Sequence, residues 1–347
     1  MSEVRWERYP LVERSPHAKS WLTVVGVGLA PATVDAYGRA LQDYLAFSAR
    51  VAADPETVGR AHIAAYLRDL TARPNPRRAA NRPLEAGTGL ANGTLQLYLT
   101  AVRLFYDHLV EECARPDNPV GRGRYTPGRG FGGARDRGLL PRYQKLPWIP
   151  TDDEWRAVLQ AARPEPLRNR TMLALSYDAG LRREELCALA TGDIDPARRL
   201  LRVRAEVTKG RRERVVPYSA ATQVLYAAYL AERAELCRER GPLFRSESRR
   251  NRGEAITIWT WSKAVARLAE RSGVPRFTPH TLRHLCLTDL ARAGWDLHEI
   301  AAFAGHRSTQ TTLLYIHLSG RDLAEKIARG MAAIHEWRAA MTAEVLG

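Results

Sequence analysis

From Pro31 onward the apolar residues fall into helical step. Val34, Tyr37, Leu41 and Tyr44 recur at three- and four-residue spacing and form one stripe, with Pro31 suited to a helix's first turn. A second helix, opening near Asp54-Pro55, is striped by Ile63, Tyr66 or Leu67, and Leu70. A third carries Leu95, Leu99, Val102, Tyr106 and Leu109 and ends before Pro116. Three or four such helices make a small bundle, and the aromatics on the stripes read as core rather than as base-stacking surfaces. The thirty residues before Pro31 mix proline, glycine, charge and isolated aromatics without a period, which predicts an irregular arm.

A second set of elements begins at Thr151. Thr151 with Glu154 three residues later is a capping box, followed by Trp155, Val158 and Leu159. Another helix runs from about Pro166 through Met172, Leu173, Leu175 and Tyr177 to Gly180, and AGLRREELCALATGDID (179–195) reads as a turn and a third helix. Leu200 to Val207 and Arg212 to Pro217 predict a β-hairpin with Lys209-Gly210 at its turn. Helices resume at about Ala221 to Arg240, Thr257 to Arg271 and Thr281 to Ala293. One from Leu297 to Ala304 should stop at Gly305, and Ser308 or Thr309 can cap the next. A last helix, about Arg321 to Val345, carries Leu323, Ile327, Met331, Ile334 and Trp337 on one face. The fold class is therefore mainly α with a small antiparallel β-sheet.

Two stretches break the periodicity. RPNPRRAANRPLEAGTG (73–89) cannot continue a helix and places four arginines in a loop that is either a tolerated insertion or a phosphate contact. Residues 121–147 are rich in Gly and Arg, with seven basic residues against the single acid Asp136; they predict a basic linker, either a solvated tether or a segment lying along a phosphate backbone. The organisation expected is an arm (1–30), a helical domain (31–120), the linker (121–147) and a second domain (148–347).

Charge sharpens this picture. The net charge of the 347 residues is +15, and both halves share it: residues 1–147 hold 21 Lys+Arg against 14 Asp+Glu, and residues 148–347 hold 32 against 24. Two basic lobes suit a clamp around nucleic acid, where neutralised phosphates release counterions; the alternative is a surface tuned for solubility. No run of about eighteen apolar residues occurs and no signal peptide is evident, so no membrane partner and a cytoplasmic location are expected. Four cysteines at 113, 187, 237 and 286 include no CxxC, which argues against a zinc ribbon or a disulfide scaffold.

Candidate chemistry concentrates in GHRSTQTTLLY (305–315). It sets His306 in a turn and Tyr315 on the next helix, where a tyrosine hydroxyl aimed at the same point as an imidazole can act as a nucleophile. Upstream stand Arg182 after the Gly180 turn, Lys209 at the hairpin tip, and His280, Arg283 and His284 at i, i+3 and i+4 on one helix face. Singly, these residues fit a solvated arginine, an ordinary turn, a polar stripe and a core tyrosine.

In this order and spacing they resemble the tyrosine recombinase (phage integrase) family, including Xer-like enzymes, through AGLRREEL (179–186), TKGRRERVVP (208–217), HTLRH (280–284), AGH (304–306) and Tyr315. The resemblance spans about residues 31–330. It implies a helical core-binding (SAM-like) domain at 31–120 and a catalytic domain of the DNA breaking-rejoining fold at 148–347. It also implies double-stranded DNA as partner, nucleoid association, no cofactor, and cleavage through a 3′-phosphotyrosyl intermediate. Arg182 and Arg283 would grip the phosphate, His306 would add a third donor, Tyr315 would attack, His280 would take or relay its proton, and Lys209 would protonate the 5′ oxygen. Glu185, three residues after Arg182, either orients the arginine or His280 or is a routine helical carboxylate. The resemblance further implies a homo-tetramer on paired sites and room for an accessory DNA-bending factor, with the last helix docking on a neighbouring protomer unless its stripe closes its own domain. Ala304 in place of a common leucine, Thr208 in place of a glycine, and the long loops depart from the pattern and point to a mobile element or phage rather than a housekeeping role. The alternatives are a type IB topoisomerase-like relaxer, a non-catalytic DNA-binding regulator on the same fold, and a metal site at His280, His284, His306 and His317, which the intervening arginines argue against.

Overall fold

The computed structural model describes residues 4–73, 90–121, 139–140, 146–208 and 210–318, together with 334, 336–338 and 341. Loop 74–89, most of the linker 121–147, Lys209 and all but five residues of the last helix lie outside the described residues. The chain divides into two compact units, Met1–Gln144 and Lys145–Gly347.

The first unit opens with two helices where an irregular arm was expected, α1 (Pro10–Arg14) and α2 (Pro16–Gly28). Each starts on a proline, and Ser15 caps α2 by accepting from the Ala18 amide. The core face of α2 holds Ala18, Trp21, Leu22 and partly buried Val25, a helical period that the exposed Val24, Val27 and Leu29 obscure in the sequence. Tyr9 is fully buried, its hydroxyl donates to Asp35, and its ring fills the space over Gly38, where a Cβ would come within 2.8 Å. The remaining helices are α3 (Pro31–Arg50), α4 (Arg60–Ala72) and α5 (Asn92–Glu111). The stripes expected on them are buried, Tyr37 only in part. Helix α4 begins later than Asp54 because Asp54 closes a separate turn, its carboxylate and carbonyl taking the amides of residues 56–58 before Gly59 interrupts. Arg73, one of the four loop arginines, is committed to Asp43 (2.6 Å) and Asp69 (2.5 Å) and is not a free phosphate contact.

The second unit contains α6 (Asp152–Ala162), α7 (Leu167–Asp178) and the short α8 (Arg183–Cys187). The capping box forms at α6: Thr151 Oγ1 accepts from the Glu154 amide, and Glu154 Oε2 from the Thr151 amide. A three-stranded antiparallel sheet follows, β1 (Ile194–Asp195), β2 (Leu200–Val203) and β3 (Arg214–Pro217), in that spatial order. The hairpin is shorter than expected. After Val203 the chain turns away, with Arg204 bound to Asp193 and to the Ala188 carbonyl, and a 3-10 turn occupies Ala205–Val207. Leu201, Val203 and Val216 face the core. Then come α9 (Ala220–Leu236), α10 (Ile258–Arg271), α11 (Pro279–Arg292), α12 (Leu297–Ala304) and α13 (Thr309–Leu318). No described helix is long and apolar enough to cross a membrane.

Candidate active site

Two left-handed glycines prepare the site. Gly180 (φ +53°) ends the segment after α7, and Gly305 (φ +61°) ends α12; each releases a carbonyl no longer used by its helix. Arg283, buried on α11, takes both places: one Nη donates to the Gly180 carbonyl at 2.6 Å, the other to the Ala304 carbonyl at 2.6 Å. Burial and the neighbouring Arg182 lower its pKa to about 10, which still leaves it charged at neutral pH.

Arg182 stands at the start of α8. Its Nη1 donates to Glu185 Oε1 at 2.7 Å, and its Nη2 reaches the Gly305 carbonyl at 3.3 Å. Glu185 is fully buried and shared: Arg214, from β3, donates to both of its oxygens at 3.1 and 2.7 Å. Burial alone would raise the carboxyl's pKa, but the hydrogen bonds and charge of Arg214 and the contacts with Arg182 reverse this and hold it down to about 2. One carboxylate among Arg182, Arg214 and Arg283 leaves an excess of positive charge facing the same region.

His306 follows Gly305. Its Nε2 lies 3.0 Å from Arg283 Nη2, and because arginine can only donate, that nitrogen accepts. The ring proton then sits on Nδ1, 2.9 Å from Thr312 Oγ1. Burial, Arg283 and Arg182 press the imidazole's pKa down to about 3, so it is neutral. Ser308 caps α13 through its hydroxyl and carbonyl, and Tyr315, two turns in, is 3% exposed. The Tyr315 ring stacks on His306 at 6.0 Å between centroids and 9° between planes. Burial raises the phenol's pKa, against the opposing pull of Arg283 and Arg182.

The hydroxyl of Tyr315 lies 2.9 Å from Nδ1 of His284. His280, one turn earlier on α11, is exposed, with its ring 6.3 Å from that of His284. Neighbouring groups packed around its ring lower the pKa of His280 although its surface is exposed, and burial lowers that of His284 to about 4 with help from His280 and Arg283. The fold thus gathers Arg182, Arg283, His306 and Tyr315 and sets His280 at the rim, while Lys209 lies outside the described residues. Arg214 and His284 are contacts that sequence reasoning did not assign. Their signals were present as the third arginine of TKGRRERVVP and the second histidine of HTLRH. Among the described residues no three His, Cys, Asp or Glu side chains converge as a metal site.

Comparison with known proteins places the chain in a family. The Phage integrase family model matches residues 150–321. A tyrosine recombinase XerC of Corynebacterium efficiens is 31% identical over 280 residues, covering 76% of this chain and 80% of the relative. A tyrosine recombinase XerD of Caulobacter vibrioides is 30% identical over 321 residues, covering 88% and 93%. The crystal structure of the XerH site-specific recombinase bound to palindromic difH substrate superposes with a TM-score of 0.65 at 18% identity, covering 93% of each chain. The mainly helical fold with its three-stranded sheet, the buried Arg–Glu–His–Tyr cluster and these relatives lead to one assignment: the chain belongs to the tyrosine recombinase (phage integrase) family and is a site-specific recombinase.

Proposed function

We propose that the protein cuts and rejoins double-stranded DNA through a 3′-phosphotyrosyl intermediate on Tyr315. The observation that carries this reading is the phenol stacked on His306 beside the Arg182–Arg283 pair. A phosphodiester gains negative charge as it is attacked, and two guanidinium groups offer forked donors to its non-bridging oxygens. Arg283 is held by two helix-end carbonyls and Arg182 by Glu185, so little side-chain freedom is lost on binding. An incoming phosphate anion lifts the pKa of His306, and a protonated Nε2 becomes a third donor. The same positive field favours the phenolate of Tyr315. Lys209, in the connection between β2 and β3, protonates the departing 5′ oxygen, and His280 at the rim relays protons to solvent. The phosphotyrosyl ester conserves the broken bond's energy, so a 5′ hydroxyl from a partner strand can reverse the step without a nucleotide.

In this reading residues 31–120 form a core-binding DNA domain, 121–147 a basic linker and 148–347 the catalytic domain. The working assembly is a homo-tetramer on paired sites, with room for a DNA-bending accessory factor, and its place is the nucleoid. Ile334, Trp337 and Met341, at i, i+3 and i+7, are exposed, which supports docking of the last helix on another protomer. The departures at Ala304 and Thr208 support a mobile-element or phage origin. Incubation with nicked duplex DNA, selected by binding from a random-sequence pool, should give an adduct that survives denaturation. Adduct formation by Tyr315→Phe would overturn the nucleophile assignment.

A further inference from the structure

The residue in contact with the Tyr315 hydroxyl is His284, which motif spacing alone places beside Arg283 without a task. We infer that His284 is the general base that takes the Tyr315 proton as the phenol attacks the phosphate, and that it returns the proton on rejoining. This deepens the proposed reaction and rests on it.

Four observations carry the inference. The distance from His284 Nδ1 to Tyr315 Oη is 2.9 Å, with the ring centroids 5.8 Å apart, so transfer needs no intervening group. The other imidazole against Tyr315, that of His306, has both nitrogens engaged, Nε2 with Arg283 and Nδ1 with Thr312. His284 is also fixed in place. It follows Arg283, whose guanidinium ties α11 to two other segments, and its own carbonyl accepts from Thr288 Oγ1 at 2.8 Å. Finally, His280 extends the line outward, exposed and 6.3 Å from the His284 ring, as a half-buried base facing Tyr315 requires for exchange with water.

The electrostatics have the right sign. Burial, His280 and Arg283 keep His284 neutral at physiological pH, able to accept through Nδ1 while its proton sits on Nε2. Such an imidazole is a poor base in the free protein. A bound phosphodiester anion offsets the arginine charge and raises its proton affinity where and when the phenol becomes acidic by bonding to phosphorus. The step balances: the Oη–H bond breaks and the proton moves to His284 Nδ1, Oη bonds to phosphorus, and the P–O5′ bond breaks. The 5′ oxygen takes a separate proton from the leaving-group acid.

The test compares wild type, His284→Asn and His284→Ala on the nicked duplex, in its ordinary form and with sulfur in place of the 5′ bridging oxygen. Asparagine keeps an acceptor near the Nδ1 position but cannot take a proton, and DNA binding by each variant reports an intact fold. The expected result is cleavage slowed about 10²–10⁴-fold in both variants, with no recovery on the sulfur substrate, whose thiolate leaves without protonation. Wild-type rates for His284→Asn would overturn the assignment, because a merely positioning role survives that change. Recovery on the sulfur substrate would also overturn it, by moving His284 to the leaving group. Absence of any adduct with wild type would instead sink the strand-transfer reading itself.

Discussion

The molecule buries tyrosines in both of its units, and only the surroundings separate a strut from the proposed nucleophile. In the first unit Tyr44, Tyr66 and Tyr106 are fully buried; in the second, Tyr315 is 3% exposed. Burial raises the pKa of all four phenols. Tyr66 donates to the Asp43 carboxylate at 2.8 Å, and that charge pushes its pKa further above the ordinary value. Tyr106 donates to the Pro55 carbonyl and shares a hydrogen bond with Tyr44. These hydroxyls hold helices together and have every reason to keep their protons. Tyr315 faces Arg283 and Arg182, which oppose the rise, and a neutral imidazole that can accept. Arg115 also opposes the rise at Tyr44 and Tyr106, so what sets Tyr315 apart is two arginines acting together with an imidazole placed to take the proton.

The largest effect expected on stability tests the charge that makes Tyr315 different. Glu185 binds both Arg182 and Arg214, and its carboxyl is held at about 2. A folded-state pKa below the ordinary carboxylate value contributes stability that is present above about pH 4.5 and is lost as pH falls through about 2. A shift of this size in a buried group corresponds to about 3 kcal/mol. Glu185→Gln should lose that amount at pH 7 in urea unfolding, and the difference from wild type should shrink steadily toward pH 2. A gap that persists at low pH would mean that packing, rather than charge, holds Glu185. The variant should also slow adduct formation, since Arg182 loses the partner that aims it.

Tyr106→Phe probes the other side of the comparison. It removes the Tyr106 partner of the Tyr44 hydroxyl, leaves the Pro55 carbonyl only the longer bond from Arg115, and should cost about 1–3 kcal/mol in urea unfolding. Cleavage by the folded variant should not change. Tyr315→Phe should do the reverse, abolishing the adduct while shifting stability by less than about 1 kcal/mol. If Tyr106→Phe slowed cleavage without destabilising the protein, the division between strut and nucleophile would fail.

How much of this was legible in the sequence follows from range. Stripes such as Val34–Leu41–Tyr44 and the Thr151–Glu154 box involve neighbours three or four residues apart, and the fold realises them as expected. Arg182, Arg283, His306 and Tyr315 were singled out through the family resemblance of their motifs, and the fold brings them together. The contacts that refine the site were not legible. Arg214 meets Glu185 across 29 positions, and His284 meets Tyr315 across 31, on elements whose packing no local period specifies. The helix Pro16–Gly28 was missed because exposed valines blurred its stripe, and the strand Ile194–Asp195 because two residues carry no period at all.

The smallest effect lies at Gly305, where backbone geometry meets the charge cluster. Its φ of +61° penalises any side chain, and an added Cβ would lie 3.1 Å from Arg214 Nη1 and 3.3 Å from its Cδ. Gly305→Ala should therefore lose about 1–2 kcal/mol from the backbone alone. The end of the Arg214 side chain can give way only by disturbing its grip on Glu185. Gly305→Asn separates the two causes, because asparagine tolerates the left-handed region but still brings a Cβ. If asparagine recovers stability while adduct formation stays slow, the contact with Arg214 is what matters for cleavage. If both recover together, the backbone conformation accounts for the whole effect, and Gly305 belongs with the structural features of the first unit rather than with the site around Tyr315.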